Sequence, residues 1–237
     1  MSNIVLSKVD KLDLNTTLTA VEVVDSVESI AGDTTFILEI TDKNLAAIDN
    51  SSHSFYIPST ALSAVDQDTA GLRVYFDLEN YPFYQAAKAI ITKEAKPKGV
   101  FRYRRTVKQG ENDAILASDL FVLSSLLGEA QDVQVKRTNA KVTPSHTIIM
   151  INFGGGTMAH VEYTVSDHER IELEWSGDKN IIEFDSNEMR PIQPGSKTKL
   201  PLVYPVDTIL ATAYEVDQNL VDQLNHFESL IDGGAHK

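Results

Sequence analysis

Four consecutive residues hold the densest chemistry in this chain: Arg102, Tyr103, Arg104 and Arg105, in the strand-like run FRYRRTVK. Alternate side chains of a strand share a face, so Arg102 and Arg104 lie on one side and Tyr103 and Arg105 on the other. Two neighbouring guanidiniums can cradle a carboxylate or phosphate. In a chain rich in acids they can equally pair with its own carboxylates. His160 and Glu162 alternate along a later strand with Met158 and Thr164, and His168 follows in the next turn. No H-x-x-x-H or H-E-x-x-H spacing accompanies them, so these histidines read as solvated or structural and no metal is expected. Gly154-Gly155-Gly156 has the composition of a phosphate cradle, but it lies between two strand patterns and precedes neither a helix nor a Lys-Ser/Thr pair. It reads as a hairpin turn. No serine sits in a G-x-S-x-G context and the chain has no cysteine, so no nucleophile is assigned.

The elements that would position these residues fall into two patterns. The first half reads as mixed α/β. TTFILEI, from Thr34 to Ile40, and LRVYFDL, from Leu72 to Leu78, are short and apolar as buried strands are. Asn80 is a candidate N-cap, Pro82 suits a first helical turn, and Phe83, Ala87 and Ile90 recur at helical spacing to about Lys93. From Gly99 the pattern becomes strands interrupted by one helix. Val100 to Val107 is a strand. Leu116, Leu120, Leu123 and Leu127 then line a helical face that Gly128 stops. Strands are expected at Asp132–Thr138, Thr147–Phe153, Thr157–Ser166, Glu169–Trp175 and Asn180–Asp185, and their short links predict an antiparallel meander. Ile171, Leu173 and Trp175 face one way and Glu172 and Glu174 the other, so one face of the sheet is wet or meets a polar partner. Arg190 to Pro205 is an extended, proline-rich connection. Asp207 is expected to cap one long helix with a stripe of Val216, Leu220, Leu224, Phe227 and Ile231.

A net charge of -13 and the lack of a basic stripe argue against a nucleic-acid partner. Hydrophobic content of 42% with 23% charged residues is that of a folded globular chain. The charges in MSNIVLSKVDKLDLN interrupt any apolar signal core, and no window reaches the ~20 apolar residues of a membrane span. A cytoplasmic location without membrane contact is the expectation, and the absence of cysteine fits a reducing compartment.

One segment, DAILASDLFVLSSLLGE from Asp113 to Glu129, resembles the opening helix of the C-terminal domain of the Gfo/Idh/MocA family of NAD(P)-dependent sugar and inositol dehydrogenases. The resemblance runs from about Leu72 to the C-terminus. It includes YPFYQAAKAIITKEAKPKG, the Leu126-Leu127-Gly128-Glu129 ending, the glycine turn and ERIELEWSGDKNIIEFDS in family order. It implies an α+β fold with a large, mostly antiparallel β-sheet and helices on one face, at residues 96–237. A small, degenerate α/β remnant of a Rossmann-type domain would precede it, at residues 1–95. It also implies that the open sheet face makes subunit contacts.

The chemistry the family would bring is missing from the matching positions. An Asp-x-x-x-His pair falls on Ala114 and Ser118, with Asp119 retained beside it. Before Leu72 there are two glycines, Gly32 and Gly71, and no G-x-G-x-x-G. Lys96-Pro97 imitates the end of the family's Glu-Lys-Pro motif, but it follows the YPFYQAAKAII helix and reads as a surface loop. The expectation is therefore a pseudoenzyme: a non-catalytic binding, scaffold or regulatory subunit with no cofactor. It would form a homo-oligomer through the open sheet face, or a hetero-oligomer with a dehydrogenase paralogue. The alternatives are an oxidoreductase holding NAD or NADP in an atypical site, and a small-molecule sensor. The sensor would use the family's old sugar cleft, with Arg102, Arg104 and Tyr84 as its ligand-binding residues; plain packing is the simpler reading of Tyr84 and Tyr81.

Overall fold

The computed structural model describes residues 3–6, 11–14, 21–24, 35–37, 41–48, 53–67, 69–93, 96–108, 113–139, 142–187 and 202–233. In chain order the elements begin with β1 (Asn3–Leu6), β2 (Leu12–Asp13), β3 (Val21–Val24), β4 (Thr35–Ile37), α1 (Asp42–Ile48) and β5 (Ser54–Pro58). A 3₁₀ helix at Ser59–Ala64 follows, then β6 (Leu72–Tyr75), α2 (Asp77–Asn80), α3 (Pro82–Ile91), β7 (Gly99–Lys108) and α4 (Asp113–Leu127). Next come β8 (Asp132–Arg137), β9 (His146–Gly154), β10 (Thr157–Ser166), β11 (Arg170–Gly177) and β12 (Ile181–Asp185). The chain closes with β13 (Tyr204–Pro205), α5 (Val206–Thr212), β14 (Tyr214–Glu215) and α6 (Gln218–Gly233). It is a mixed α/β protein. Among the described residues, no helix is long and apolar enough to cross a membrane.

The chain divides into two compact units, Met1–Tyr84 with Val203–Gln223, and Gln85–Leu202 with Leu224–Lys237. In the first, six strands form a sheet in the order β14-β6-β5-β4-β1-β3. β3, β1, β4, β5 and β6 run parallel, and β14 joins the edge antiparallel to β6. Phe36 and Ile37 are both buried, as are Val74 and Tyr75, so consecutive residues pointing to opposite faces are both covered. That is the signature of a parallel sheet enclosed on both sides. The progression of strands reverses at β1, which has β3 on one side and β4 on the other. Sheets of this kind bind ligands beyond the carboxyl ends of the strands flanking such a reversal.

In the second unit six strands lie in the order β12-β11-β7-β10-β9-β8. Every neighbouring pair is antiparallel except β7 and β10, which run parallel from Gly99 opposite Thr157 to Lys108 opposite Ser166. The expected meander is corrected here. The link from Ser166 to Arg170 joins strands that are not neighbours, because β7 lies between them. A short link between alternating strands predicts a hairpin, and only a third strand arriving from elsewhere in the chain overrides it. At the β9–β10 turn the hairpin is real. Gly155 and Gly156 have φ of 62° and 93°, the left-handed conformations that a two-residue hairpin loop needs.

Helix α4 is buried almost all round, from Ile115 to Leu123 and again at Leu126 and Leu127, and it ends at Gly128 with φ of 109°. Two other expectations are corrected. Asn80 does not cap α3: it is the last residue of α2, fully buried, and its side-chain amide donates to the Phe76 carbonyl at 2.8 Å. The long C-terminal helix is two helices. Ala213 takes an extended conformation and Tyr214–Glu215 pair with β6, so α5 stops at Thr212. α6 restarts behind Asp217, whose carboxylate accepts from the Leu220 amide at 2.8 Å. Thr34, residues 38–40 and most of the run from Arg190 lie outside the described residues.

Gly99 opens β7 where the backbone of β11 comes close. A Cβ there would lie 2.4 Å from the Ser176 carbonyl oxygen and 2.8 Å from the Gly177 Cα. Backbone on both sides cannot give way, so Gly99→Ala is expected to cost about 1–3 kcal/mol, read as a lowered denaturation midpoint with an unchanged slope.

Candidate functional site

The alternation in FRYRRTVK is realised in β7. Phe101, Tyr103 and Arg105 are buried and Arg102 and Arg104 exposed. On the buried side Arg105 is 1% exposed and Asp119 of α4 2%. The Arg105 guanidinium donates to both Asp119 carboxylate oxygens, at 3.1 and 3.0 Å, and through its other terminal nitrogen to Glu169 at 3.0 Å. The hydroxyls of Tyr103 and Tyr163 each donate to Asp119 Oδ2 at 3.0 Å. Tyr163 stands directly across from Arg105 in the β7–β10 register. Burial raises the Asp119 carboxyl above the usual aspartate range, while Arg105 and the two phenols pull against it. Burial pushes the Tyr163 hydroxyl well up, which keeps it a donor. Asp119 of α4 is thus held by side chains of β7 and β10, and the cluster clamps α4 to the sheet.

The positions of the family's acid/base pair lie one helical turn apart on the same helix. Ser118 is buried, and its hydroxyl donates to the Ala114 carbonyl at 2.7 Å. That is a local helix bond of the kind serine makes inside helices.

The exposed side of the sheet is a ladder of charges set by register. Arg104 is flanked by Glu162 on β10 and Glu172 on β11, with contacts of 2.9 and 3.3 Å. Arg102 is flanked by His160 and Glu174, and pairs with Glu174. Arg170 grips Asp185 with two nitrogens, at 3.1 and 2.6 Å, and touches Glu172 at 2.5 Å. The Arg170 contact holds the Asp185 carboxyl below the usual aspartate range. The charges enclose a groove of about 270 Å³ lined by Arg102, Arg104 and Arg170 against Glu172, Glu174, Glu183 and Asp185. Three cations face four anions. On β9 and β10 the same face turns apolar at Ile148, Met150 and Met158, each more than a third exposed.

The other residues singled out in the sequence lie elsewhere. Tyr84 is buried, 1% exposed, and belongs to the first unit's part of α3. Lys96 is exposed, as a loop residue should be. His160 lies 3.4 Å from Glu162, and His168 contacts Asp167 at 3.0 Å in the turn. Among the described residues no group of three His, Asp or Glu side chains is placed to hold a metal.

The first unit has a polar cluster that sequence reasoning missed. Asp77 accepts from Tyr204 at 2.9 Å and from Lys11 at 3.2 Å, and Glu79 accepts from Tyr214 at 3.1 Å. Tyr81 packs against Tyr204 with ring centres 5.3 Å apart. Burial pushes the Tyr204 hydroxyl well up, so it serves as a donor. These bonds fasten the segment from Tyr204 to Glu215 beside α2. Their only sequence signal is an acidic pair next to a strand and tyrosines more than a hundred residues away.

Two predictions follow from these contacts. Asp119→Leu leaves the buried Arg105 guanidinium with Glu169 alone and takes the acceptor from the Tyr103 and Tyr163 hydroxyls, and should cost about 3–5 kcal/mol. Replacing both partners, with Arg105→Met added, should cost much less in the same denaturant melts. At Asp185 the ion pair's small stabilisation is present above the unfolded aspartate pKa near ~4 and is lost as pH falls through the lower folded value. Arg170→Gln should move the Asp185 titration, followed by carboxyl NMR, back up toward the ordinary value.

No protein-family model and no curated protein matches the sequence. Solved structures match its fold. A myo-inositol dehydrogenase from Corynebacterium glutamicum aligns over 99% of this chain and 96% of its own, with a TM-score of 0.55 and 10% identity. Biliverdin reductase from Synechocystis sp. PCC 6803, solved with biliverdin and NADP+, aligns over 92% and 85%, with a TM-score of 0.54 and 13% identity. A myo-inositol 2-dehydrogenase from Lactobacillus plantarum aligns over 92% and 76%, with a TM-score of 0.51 and 10% identity. The chain has the fold of the Gfo/Idh/MocA-type inositol dehydrogenases along nearly its whole length.

Proposed function

We infer that this chain is a non-catalytic relative of these NAD(P)-dependent oxidoreductases that works by binding and assembly through the exposed face of its second sheet. The observation that carries this reading is that face itself. It is six strands wide, charged across β7, β11 and β12 and apolar at Ile148, Met150 and Met158. A contiguous apolar patch rimmed by polar groups is a docking surface more often than a solvated one. Its partner is a second copy of the chain or a dehydrogenase paralogue. An isologous contact is the common way for a copy to cover such a face.

Three positions support the absence of hydride chemistry. The resemblance would set a Glu-Lys-Pro motif at the end of a late strand of the first unit, and β5 ends in Tyr56-Ile57-Pro58. Ile57 is fully buried and has no group to move a proton. At the acid/base positions stand Ala114, and Ser118 with its hydroxyl bonded to the helix. After β1, where the strand order reverses, the sequence continues Ser7-Lys8-Val9-Asp10 without a glycine, so the first unit reads as a Rossmann-type sheet with a degenerate phosphate loop.

A second reading, ligand capture by Arg102 and Arg104, has the 270 Å³ groove in its favour. Both guanidiniums are already matched by carboxylates, so an anionic ligand would have to displace Glu172 or Glu174. That favours the assembly reading.

Met150→Asp and Met158→Asp place charge in the apolar part of the face without touching the buried core. Under the assembly reading each should lower the mass seen by light scattering at micromolar concentration, with an unchanged melting temperature of the isolated protomer. A wild-type protein that is monomeric and captures no paralogue would sink it.

A further inference from the structure

The second sheet ends in two edge strands, β8 and β12, each paired on one side among the described residues. An edge strand turns alternate backbone N–H and C=O groups outward, where another strand can take them. On β8 those groups belong to Val133, Val135 and Arg137. The Thr138 amide donates to the His146 carbonyl at 2.9 Å, and the register running back from it sets Lys136 opposite Ile148 and Gln134 opposite Met150. The backbone of the even-numbered residues therefore faces β9, and that of Val133, Val135 and Arg137 faces away.

The exposed side chains of β8 are Asp132, Gln134 and Lys136. Gln134 donates to Asp132 at 3.1 Å, and Lys136 forms no ion pair among the described residues. Asp-x-Gln-x-Lys is complementary to its own reverse. Laid antiparallel on a copy of itself about a two-fold axis at Gln134, it sets Asp132 opposite the partner's Lys136 and Lys136 opposite the partner's Asp132. The two Gln134 amides meet at the axis. In this register Val133 and the partner's Val135 exchange backbone hydrogen bonds, so the outward donors and acceptors are the ones that become satisfied. The facing even-numbered residues form the closely spaced pairs in which cross-strand charges interact best. A lone edge lysine ordinarily discourages pairing; here the aspartate four residues before it supplies the matching charge. The other edge lacks this property, since β12 offers Glu183 and Asp185 and no cation.

We propose that β8 is a self-pairing edge, joining two copies of the chain into one continuous sheet through a closed two-fold contact. The axis stands normal to the sheet and leaves its exposed face open, so this contact is independent of docking on that face. If both operate, two perpendicular two-folds generate a four-copy assembly.

The test compares wild type, Asp132→Lys, Lys136→Asp and the double swap, by light scattering over a concentration series and by amide exchange at Val133 and Val135. Each single reversal puts like charges together at two symmetric points and should weaken association about tenfold or more. At concentrations near the wild-type dissociation constant this lowers the assembly mass toward half. The double swap should restore both the mass and slow exchange at the two valines. Equal masses in all four proteins, or fast exchange at Val133 and Val135 in the wild type, would overturn the proposal. So would a mass that grows without limit with concentration, the outcome of β8 pairing with a partner's β12. Met150→Asp and Met158→Asp act on the face and leave this contact in place, so failure of one interface is distinguishable from failure of the other.

Discussion

A buried charge survives in a folded protein only when its surroundings replace the water it lost, and the Arg105–Asp119 pair sets this condition for the second unit. Removing two ions from solvent costs several kcal/mol each by general estimates. Here Asp119 receives two guanidinium hydrogen bonds and two phenol hydrogen bonds, while Arg105 also reaches Glu169. The bonds come from α4, β7, β10 and the turn before β11, so these hydrogen bonds form together only in one arrangement of those elements. That arrangement decides which face of the sheet is covered. Once Tyr103 and Arg105 are turned toward α4, strand alternation forces Arg102 and Arg104 to the opposite, exposed face.

The exposed face then follows from register. With β7 between β10 and β11, each exposed arginine of β7 has at least one carboxylate beside it, and the ladder is neutralised within the sheet. The most cationic run of an acidic chain thus yields a groove with three guanidiniums and four carboxylates. Ile148, Met150 and Met158 of β9 and β10 lie beside that ladder among polar neighbours, so the face combines paired charges with a few exposed apolar side chains. This combination suits a protein surface better than a small anion.

How much was legible in the sequence depends on how local the determining interaction is. β9 to β12 and α4 fall within a residue or two of their expected bounds, because alternation, helical spacing and the glycines at 128 and 154–156 act over a few residues. The sequence also showed Asp119 standing beside a missing histidine, but not its role. Its partners lie 14 residues away at Arg105 and 44 away at Tyr163, and nothing local announces them. The insertion of β7 between β10 and β11 was hidden for the same reason. In the first unit, NIVL and VEVV are short runs close to charged residues and SFYIP is a short run among serines, so none reads as a strand, yet they pair in parallel with neighbours supplied from a distance. The break between α5 and α6 depends on Tyr214 and Glu215 joining the edge of β6, a partner about 140 residues earlier. Of the candidate site residues, Arg102 and Arg104 were placed on the correct face by alternation alone, whereas the carboxylates that neutralise them needed the register.

The central claim is that this fold has been kept while its dinucleotide chemistry has not. Calorimetric titration of NAD, NADH, NADP and NADPH into the purified chain tests it most directly. The account predicts no saturable heat with any of the four at up to millimolar concentration. Micromolar binding of any one would contradict it and restore the first unit as a working nucleotide site.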